Sequence, residues 1–370
     1  MGGTAATRAR RRYRRARRLR SERRGVVAVI GTLLALLVFF ALFGIFLTQY
    51  VPLWMTDNEA QFTNSAATSF AQFKGGIDTQ YALGLPPILG TSFTTSSGGI
   101  PLIAQPTEGV LSFLPQSCPG GFNSATVLGL GVAGQPTNPN YCAFENQTLS
   151  TGSIFTPQFF LSAASGVLQM QLPNRYYSSE TFYFEDDGVI QSQSQGFQVM
   201  AFSPPFNVTH VSGNTTVTSS FLQLYGNATT VIAQGSEEVY SHLLYTQQIT
   251  SNVLPPVSGT TVRPFNYTME IGTQFPCAWS RFLWSQMNAS GLKNTGTAAS
   301  TPGSYNFTWD NVSTGHRVWQ STVPQNFGSN GYACYNPGGR TWLIELNLYE
   351  VTYANLFYAG ANVDVGVGGV

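Results

Sequence analysis

The spacing of apolar residues changes twice along the chain. From Gly25 to Leu47, 23 consecutive residues carry no charge, and the next charge is Asp57. As a helix this run covers about 34 Å, enough to cross a hydrocarbon layer about 30 Å thick with some tilt. A core helix of that length carries a polar stripe, and this one has none. Apolar residues then thin to Phe62, Ala66, Phe70, Phe73 and Ile77, at steps of 4, 4, 3 and 4. That spacing is one face of an α-helix. Asp57, Glu59, Gln61, Asn64, Gln72 and Lys74 fill the other faces, which predicts that they are wet. The pattern predicts a transmembrane helix over 26–50 and an amphipathic continuation over 51–80. Pro52 between them predicts a kink, and Gly75-Gly76 a weakened end.

Beyond residue 80 the period drops to two. Runs rich in aromatic and β-branched residues alternate with Gly, Pro, Asn and Ser clusters. In Glu180–Gln191, Phe182 and Phe184 alternate with Tyr183 and Glu185, and Asp187-Gly188 supplies a hairpin turn. Residues 197–202, 217–224, 239–247 and 342–353 also read as strands. Residues 115–157 and 291–305 read as loops. The fold class expected is a long N-terminal helix, transmembrane and then amphipathic, followed by a mainly-β, sandwich-like extracellular domain over 81–370. A subdivision is expected near 252–264. No internal repeat is visible.

Charge fixes the direction. Residues 1–24 hold eleven arginines and one glutamate, whereas the remainder holds 7 basic and 16 acidic side chains. A basic segment ahead of an apolar span stays cytoplasmic, so everything after residue 50 faces outside. Tyr50 and Trp54 fall at the level of an outer aromatic belt. Next to a span, the arginines are explained by orientation and by anionic lipid, and no nucleic-acid partner is expected. The apolar run is too long for an ordinary cleaved secretory signal and lacks its Ala-x-Ala site. The whole chain is only 9% charged, against about 25% in ordinary domains. A surface with so few ionisable groups predicts tolerance of acid.

Arg23-Arg24-Gly25-Val26-Val27-Ala28-Val29-Ile30-Gly31-Thr32-Leu33-Leu34 resembles the start of archaeal type IV pilin-like surface proteins, which carry a class III signal peptide. Those have a basic-Gly junction followed by a Val/Ile-rich helix. The resemblance implies cleavage between Gly25 and Val26 on the cytoplasmic side, removal of the 1–25 leader, and a helix retained as anchor or filament core. It also implies self-assembly through that helix, with the small residues Gly31, Ala35, Ala41 and Gly44 at the contact. Ile30 stands where many bacterial pilins have an acidic residue. Thr181–Gln191 is similar to a tyrosine-rich hairpin of uncharacterised archaeal pilin-like proteins.

Chemistry is sparse. Cys118, Cys142, Cys277 and Cys334 all follow the span, and their even number predicts two disulfides. Proximity favours 118–142 and 277–334, and spacings of 24, 135 and 57 lack the pairs of a zinc site. Eight sequons lie outside, at Asn146, Asn207, Asn214, Asn227, Asn266, Asn288, Asn306 and Asn311. Glu185, Asp186 and Asp187 form a weak Ca²⁺ candidate, although carboxylates at a turn are ordinarily just solvated. Gly129–Gly134 matches G-x-G-x-x-G, but a Pro-rich loop follows where that motif needs a helix. His210, His242 and His316 have no metal-ligand spacing. No nucleophile elbow or P-loop occurs. No cofactor or catalytic residue is expected. The reading is a single-pass surface protein with a structural or adhesive role, held in the lipid bilayer. One alternative is an anchored module for an envelope or extracellular glycan or a solute. Another is an anchored hydrolase using two of Glu180, Glu185, Asp186, Asp187, Glu237 and Glu238.

Overall fold

The computed structural model describes residues 29–84, 87–101, 103–115, 124–131, 147–148, 159–193, 196–232, 234–252, 265–295, 303–311, 316–319 and 342–366. A single helical run, α1 (Val29–Leu83), comes first. Five strands then lead up to residue 165: β1 (Leu89–Thr94), β2 (Val110–Leu114), β3 (Ser124–Gly131), β4 (Gln147–Thr148) and β5 (Phe159–Ser165). Four more follow, β6 (Val167–Leu172), β7 (Glu180–Glu185), β8 (Gly188–Gln193) and β9 (Gln198–Phe202). Next come β10 (Phe206–Val211), β11 (Asn214–Tyr225), β12 (Thr229–Ile232), β13 (Ser236–Asn252) and β14 (Phe265–Thr273). A second helix, α2 (Pro276–Ser290), precedes β15 (Lys293–Asn294), β16 (Ser304–Asn311), β17 (His316–Trp319) and β18 (Trp342–Val365). The chain divides into two compact units. One is everything up to Asp57 with Ile100–Gln105, and the other is Asn58–Gly99 with Pro106–Val370.

In the first unit the apolar segment of α1 is open to its surroundings: Leu33, Leu37 and Phe40 are 61%, 68% and 58% exposed. Length and composition suit a membrane span. The kink expected at Pro52 takes a different form. Proline lacks an N–H and its ring presses on the carbonyl four residues back. Here the preceding turn, Phe46–Tyr50, widens to a π-helix, and the Val51 N–H donates to the Phe46 carbonyl. The helical run then continues.

The second unit is built on two sheets. Six strands run in the order β12-β2-β6-β7-β8-β9, all antiparallel. The larger sheet is organised by the 24-residue β18. Its first half pairs with β14 and β16, and its second half lies between β13 and a parallel β11. Glu350, at φ 58°, marks the change of partners. Alternation lets the second half serve two cores, because successive side chains point to opposite faces. Ala354, Leu356 and Tyr358 join one core, with α2, β14 and β16. Ala359, Ala361, Val363 and Val365 join the other, with α1 and the six-stranded sheet.

The helical stripe is found as expected. Phe62, Ala66, Phe70, Phe73 and Ile77 are all buried. Phe70 meets Phe93 of β1 edge-on at 5.1 Å and stacks on Phe182 of β7 at 5.8 Å, while Phe73 meets Phe184 at 5.2 Å. Each such ring contributes about 2–3 kcal/mol by leaving water. Gly75-Gly76 does not end the helix; Gly84, at φ 59°, follows its last residue.

The domain beyond residue 80 is mainly β as expected, with α2 among its strands burying Trp279, Phe282, Leu283 and Met287 on one face. Three expectations need correction. Glu59 and Lys74 are not on wet faces: Glu59 is fully buried and only 11% of the Lys74 side chain is exposed. The hairpin turn sits one residue earlier than Asp187-Gly188. Glu185 pairs with Gly188, so the two turn residues are Asp186 and Asp187, at φ 45° and 62°. Both central residues of this turn type need positive φ, which aspartate tolerates. Gly188 serves close packing instead, since a Cβ there would lie 2.9 Å from the Met200 sulfur. Finally, Gly129–Gly131 are not loop but the end of β3, paired with β14 and β5. The 253–264 part of the expected subdivision lies outside the described residues.

Candidate functional site

The β7–β8 hairpin is wedged between the two helices of the second unit. One face carries Phe182 and Phe184 into the α1 core. The other carries Tyr183, whose ring lies 4.2 Å from that of Phe275 just ahead of α2. Its turn is thereby taken out of water, and Glu185, Asp186 and Asp187 are 0%, 3% and 2% exposed. The expectation of solvated turn carboxylates is wrong, because packing on both hairpin faces closes over the tip.

The acids point apart. Glu185 accepts hydrogen bonds from Thr273 Oγ1 at 2.5 Å and Trp279 Nε1 at 2.6 Å, both through Oε1. Its Oε2 has no partner among the described residues. Burial, then the charge of Asp186, pushes its carboxyl up to about 8 against the two hydrogen bonds. Burial thus favours the neutral form of this acid. Asp187 faces the opposite way, toward α1, with Oδ1 2.9 Å from Lys74 Nζ. Burial raises its carboxyl to about 7 even though the Lys74 charge pulls it down, and the nearby Asp78 and Asp186 add to the rise. Lys74 also reaches Asp78 Oδ2 at 3.2 Å, one helical turn on.

The three carboxylates do not converge as a Ca²⁺ site requires. A hard cation needs several ionised oxygens converging on one point. Here Glu185 faces Thr273 and Trp279, Asp187 faces the Lys74 ammonium on the other side, and no cluster of metal-binding side chains occurs among the described residues.

A pocket of about 230 Å³ opens beside the Lys74 pair. Asp78, Asp187, Tyr81 and Phe357 line it with Thr218 and Ser220. Tyr81 and Phe357 meet edge-on at 5.8 Å, and burial followed by the Asp187 charge raises the Tyr81 hydroxyl.

A second buried carboxylate, Glu59, has a different task. It accepts from Thr107 Oγ1 at 2.6 Å and from the backbone N–H groups of Arg175, Tyr176 and Tyr177 at 3.0, 2.7 and 2.8 Å. Burial pushes its carboxyl up, but the Thr107 hydroxyl and the three N–H groups outweigh this and hold it below the usual range. An anion in a ring of donors pins the 175–177 loop to α1. No sequence pattern marks it, because three of its four donors are backbone groups more than 110 residues away.

The other carboxylates considered for hydrolysis lie apart. Glu180 is buried and accepts from Gln191 and Gln193 Nε2 at 2.5 and 2.8 Å. Glu237 and Glu238 sit on β13 opposite β1, with Glu238 exposed. They precede Val239, where the pairing of β13 with β18 begins.

Asn207, Asn214, Asn227 and Asn288 are exposed and Asn266 is half-buried. Asn306 is a correction: it is 3% exposed, its Nδ2 donates to Tyr349 at 2.6 Å, and its Oδ1 accepts from Asn347 at 3.0 Å. A glycan there has no room. Asn311 ends β16, and Asn146 lies outside the described residues. Cys277 is buried in the first turn of α2 and is not a free thiol. Cys118, Cys142 and Cys334, and with them the pairing, lie outside the described residues, as do Gly25 and Val26. His210 Nδ1 lies 3.0 Å from Thr215 Oγ1 across its hairpin.

Comparison with known proteins gives no match, whether to protein-family models, to curated proteins or to solved structures.

Proposed function

We propose that this is a single-pass surface protein, N-terminus inside and β-rich domain outside, with a structural or adhesive role as a type IV pilin-like subunit. One observation carries the reading. The helical run Val29–Leu83 is apolar and open to its surroundings in its first part, and from Phe62 to Ile77 it is the core of the β domain. A helix used in this way ties a head to a bilayer, or to a bundle of identical helices. The basic-Gly junction at Gly25-Val26 supports processing of the pilin type. Disulfides through Cys277 and glycans at the exposed sequons belong to the same proposal, and both suit an extracytoplasmic domain poor in charge.

Mass and N-terminal sequence of the protein from its own membranes test it. A mature chain starting at Val26 that shears from cells as filaments supports the pilin-like role. An intact leader on a protein released only by detergent reduces it to a simple anchored ectodomain. The aromatic-and-carboxylate pocket favours one alternative, binding of a neutral sugar, which titration of the detergent-solubilised chain with monosaccharides would test.

A further inference from the structure

We propose that Lys74 and Asp187 condense into an amide that ties α1 to the β7–β8 turn. This goes beyond the anchoring role and does not depend on it. The chain holds two lysines, Lys74 and Lys293, against sixteen arginines. Arginine suffices for charge and cannot be deprotonated in proteins, so it is no nucleophile, whereas a lysine amine is one once it has shed a proton. One of the two lysines, Lys74, is largely shielded and lies beside a buried carboxyl. Nζ and Oδ1 lie 2.9 Å apart, with 11% and 3% of the two side chains exposed.

The setting favours condensation on physical grounds. In water, an amine and a carboxylic acid stay apart because each is better solvated as an ion. Burial withdraws that solvation, and a dry ion pair recovers only part of it. An amide at the same place carries no charge. Transfer of one proton from Nζ to Asp187 gives the amine and the neutral acid. The amine lone pair then forms the Nζ–Cγ bond. The second proton leaves Nζ for Asp78, whose carboxylate lies 3.2 Å from Nζ. Asp78 passes that proton to the departing hydroxyl, the Cγ–O bond breaks, and water leaves. One ammonium and one carboxylate yield one amide and one water, and Asp78 is restored. Asp78 and Asp187 both line the pocket, which gives the water a way out. Glu185 takes no part, since it faces Thr273 and Trp279, and the charge of Asp186 bears on Asp187.

Peptide mapping of the full-length protein purified from its own membranes, reduced and deglycosylated, decides the matter. The expected product is a branched peptide joining the segments around residues 74 and 187, short by one water, with no tryptic cleavage after Lys74. On a denaturing gel the wild type runs ahead of Lys74→Arg, because the amide closes a loop between positions 113 residues apart. In Asp78→Asn the branched peptide forms more than tenfold more slowly. Two results overturn the proposal. One is unmodified linear peptides carrying Lys74 and Asp187 from folded protein. The other is a water loss confined to the Asp187-Gly188 segment while trypsin still cuts after Lys74, which is the mark of a succinimide. The wild-type map alone suffices if Lys74→Arg fails to fold.

Discussion

Glu185 gives the fold a pH dependence opposite in sign to ordinary acid denaturation. Folded, its carboxyl keeps a proton up to about pH 8; unfolded, it releases it near 4.5. Between those values the folded state binds more protons than the unfolded state. Stability is therefore complete below about pH 4.5 as far as this group is concerned, and it is lost as pH rises through 8. Integrating one group over pH 5 to 8 gives a loss on the order of 3–4 kcal/mol. Against a total of about 5–15 kcal/mol this is large. Glu185→Gln isolates it, since the amide copies the shape of the neutral acid and its oxygen still accepts from Thr273 and Trp279. Guanidinium unfolding of the full chain in detergent, followed by tryptophan fluorescence at pH 5, 6, 7 and 8, measures the effect. The wild-type midpoint should fall with pH, and the variant should be flatter by about 3 kcal/mol while matching the wild type within about 1 kcal/mol at pH 5. Equal slopes in the two proteins, or a wild type steadier at pH 8 than at pH 5, would refute the reasoning. Glu185 is a cleaner probe than Asp187, whose carboxyl meets Lys74.

Glu59 works in the other direction, with a depressed carboxyl whose contribution is present above the unfolded value and lost as pH falls through the folded one. Glu59→Gln turns an NH₂ toward backbone donors and should cost about 2–3 kcal/mol at pH 7, with faster proteolysis at 175–177 as a second readout. Phe70→Ala empties a site with no exposed surface and should cost about 3–5 kcal/mol by chemical denaturation, with Phe182 and Phe93 left facing a void. Gly226→Ala drives a Cβ into the Val363 carbonyl, a backbone atom that cannot swing aside, so thermal unfolding should show more than about 2 kcal/mol of loss. Glycopeptide mapping should find Asn306 bare even where Asn207, Asn214 and Asn227 are occupied.

Much of the architecture was readable because it rests on local periodicity. The uncharged run before Asp57, the 4-4-3-4 stripe and the Phe182/Phe184 alternation each reflect which way successive side chains point, and that follows from helix and strand geometry alone. Helix α2 carried a readable signal too, with Pro276 at its first position and Trp279, Phe282, Leu283 and Met287 at helical steps. The β-like surroundings hid it. The candidate site was not readable. Glu185-Asp186-Asp187 has the composition of a wet turn, and its burial arises only because α1 and the segment leading into α2 close over both faces of one hairpin. Lys74, Asp78 and Asp187 come together across 113 residues of sequence, and three of the four donors around Glu59 are backbone groups with no side-chain signature. The sequence by itself determined where helix and strands lie and which faces of them avoid water. The tertiary structure decided which carboxyl groups lose their water, because desolvation depends on what packs against a group from elsewhere in the chain.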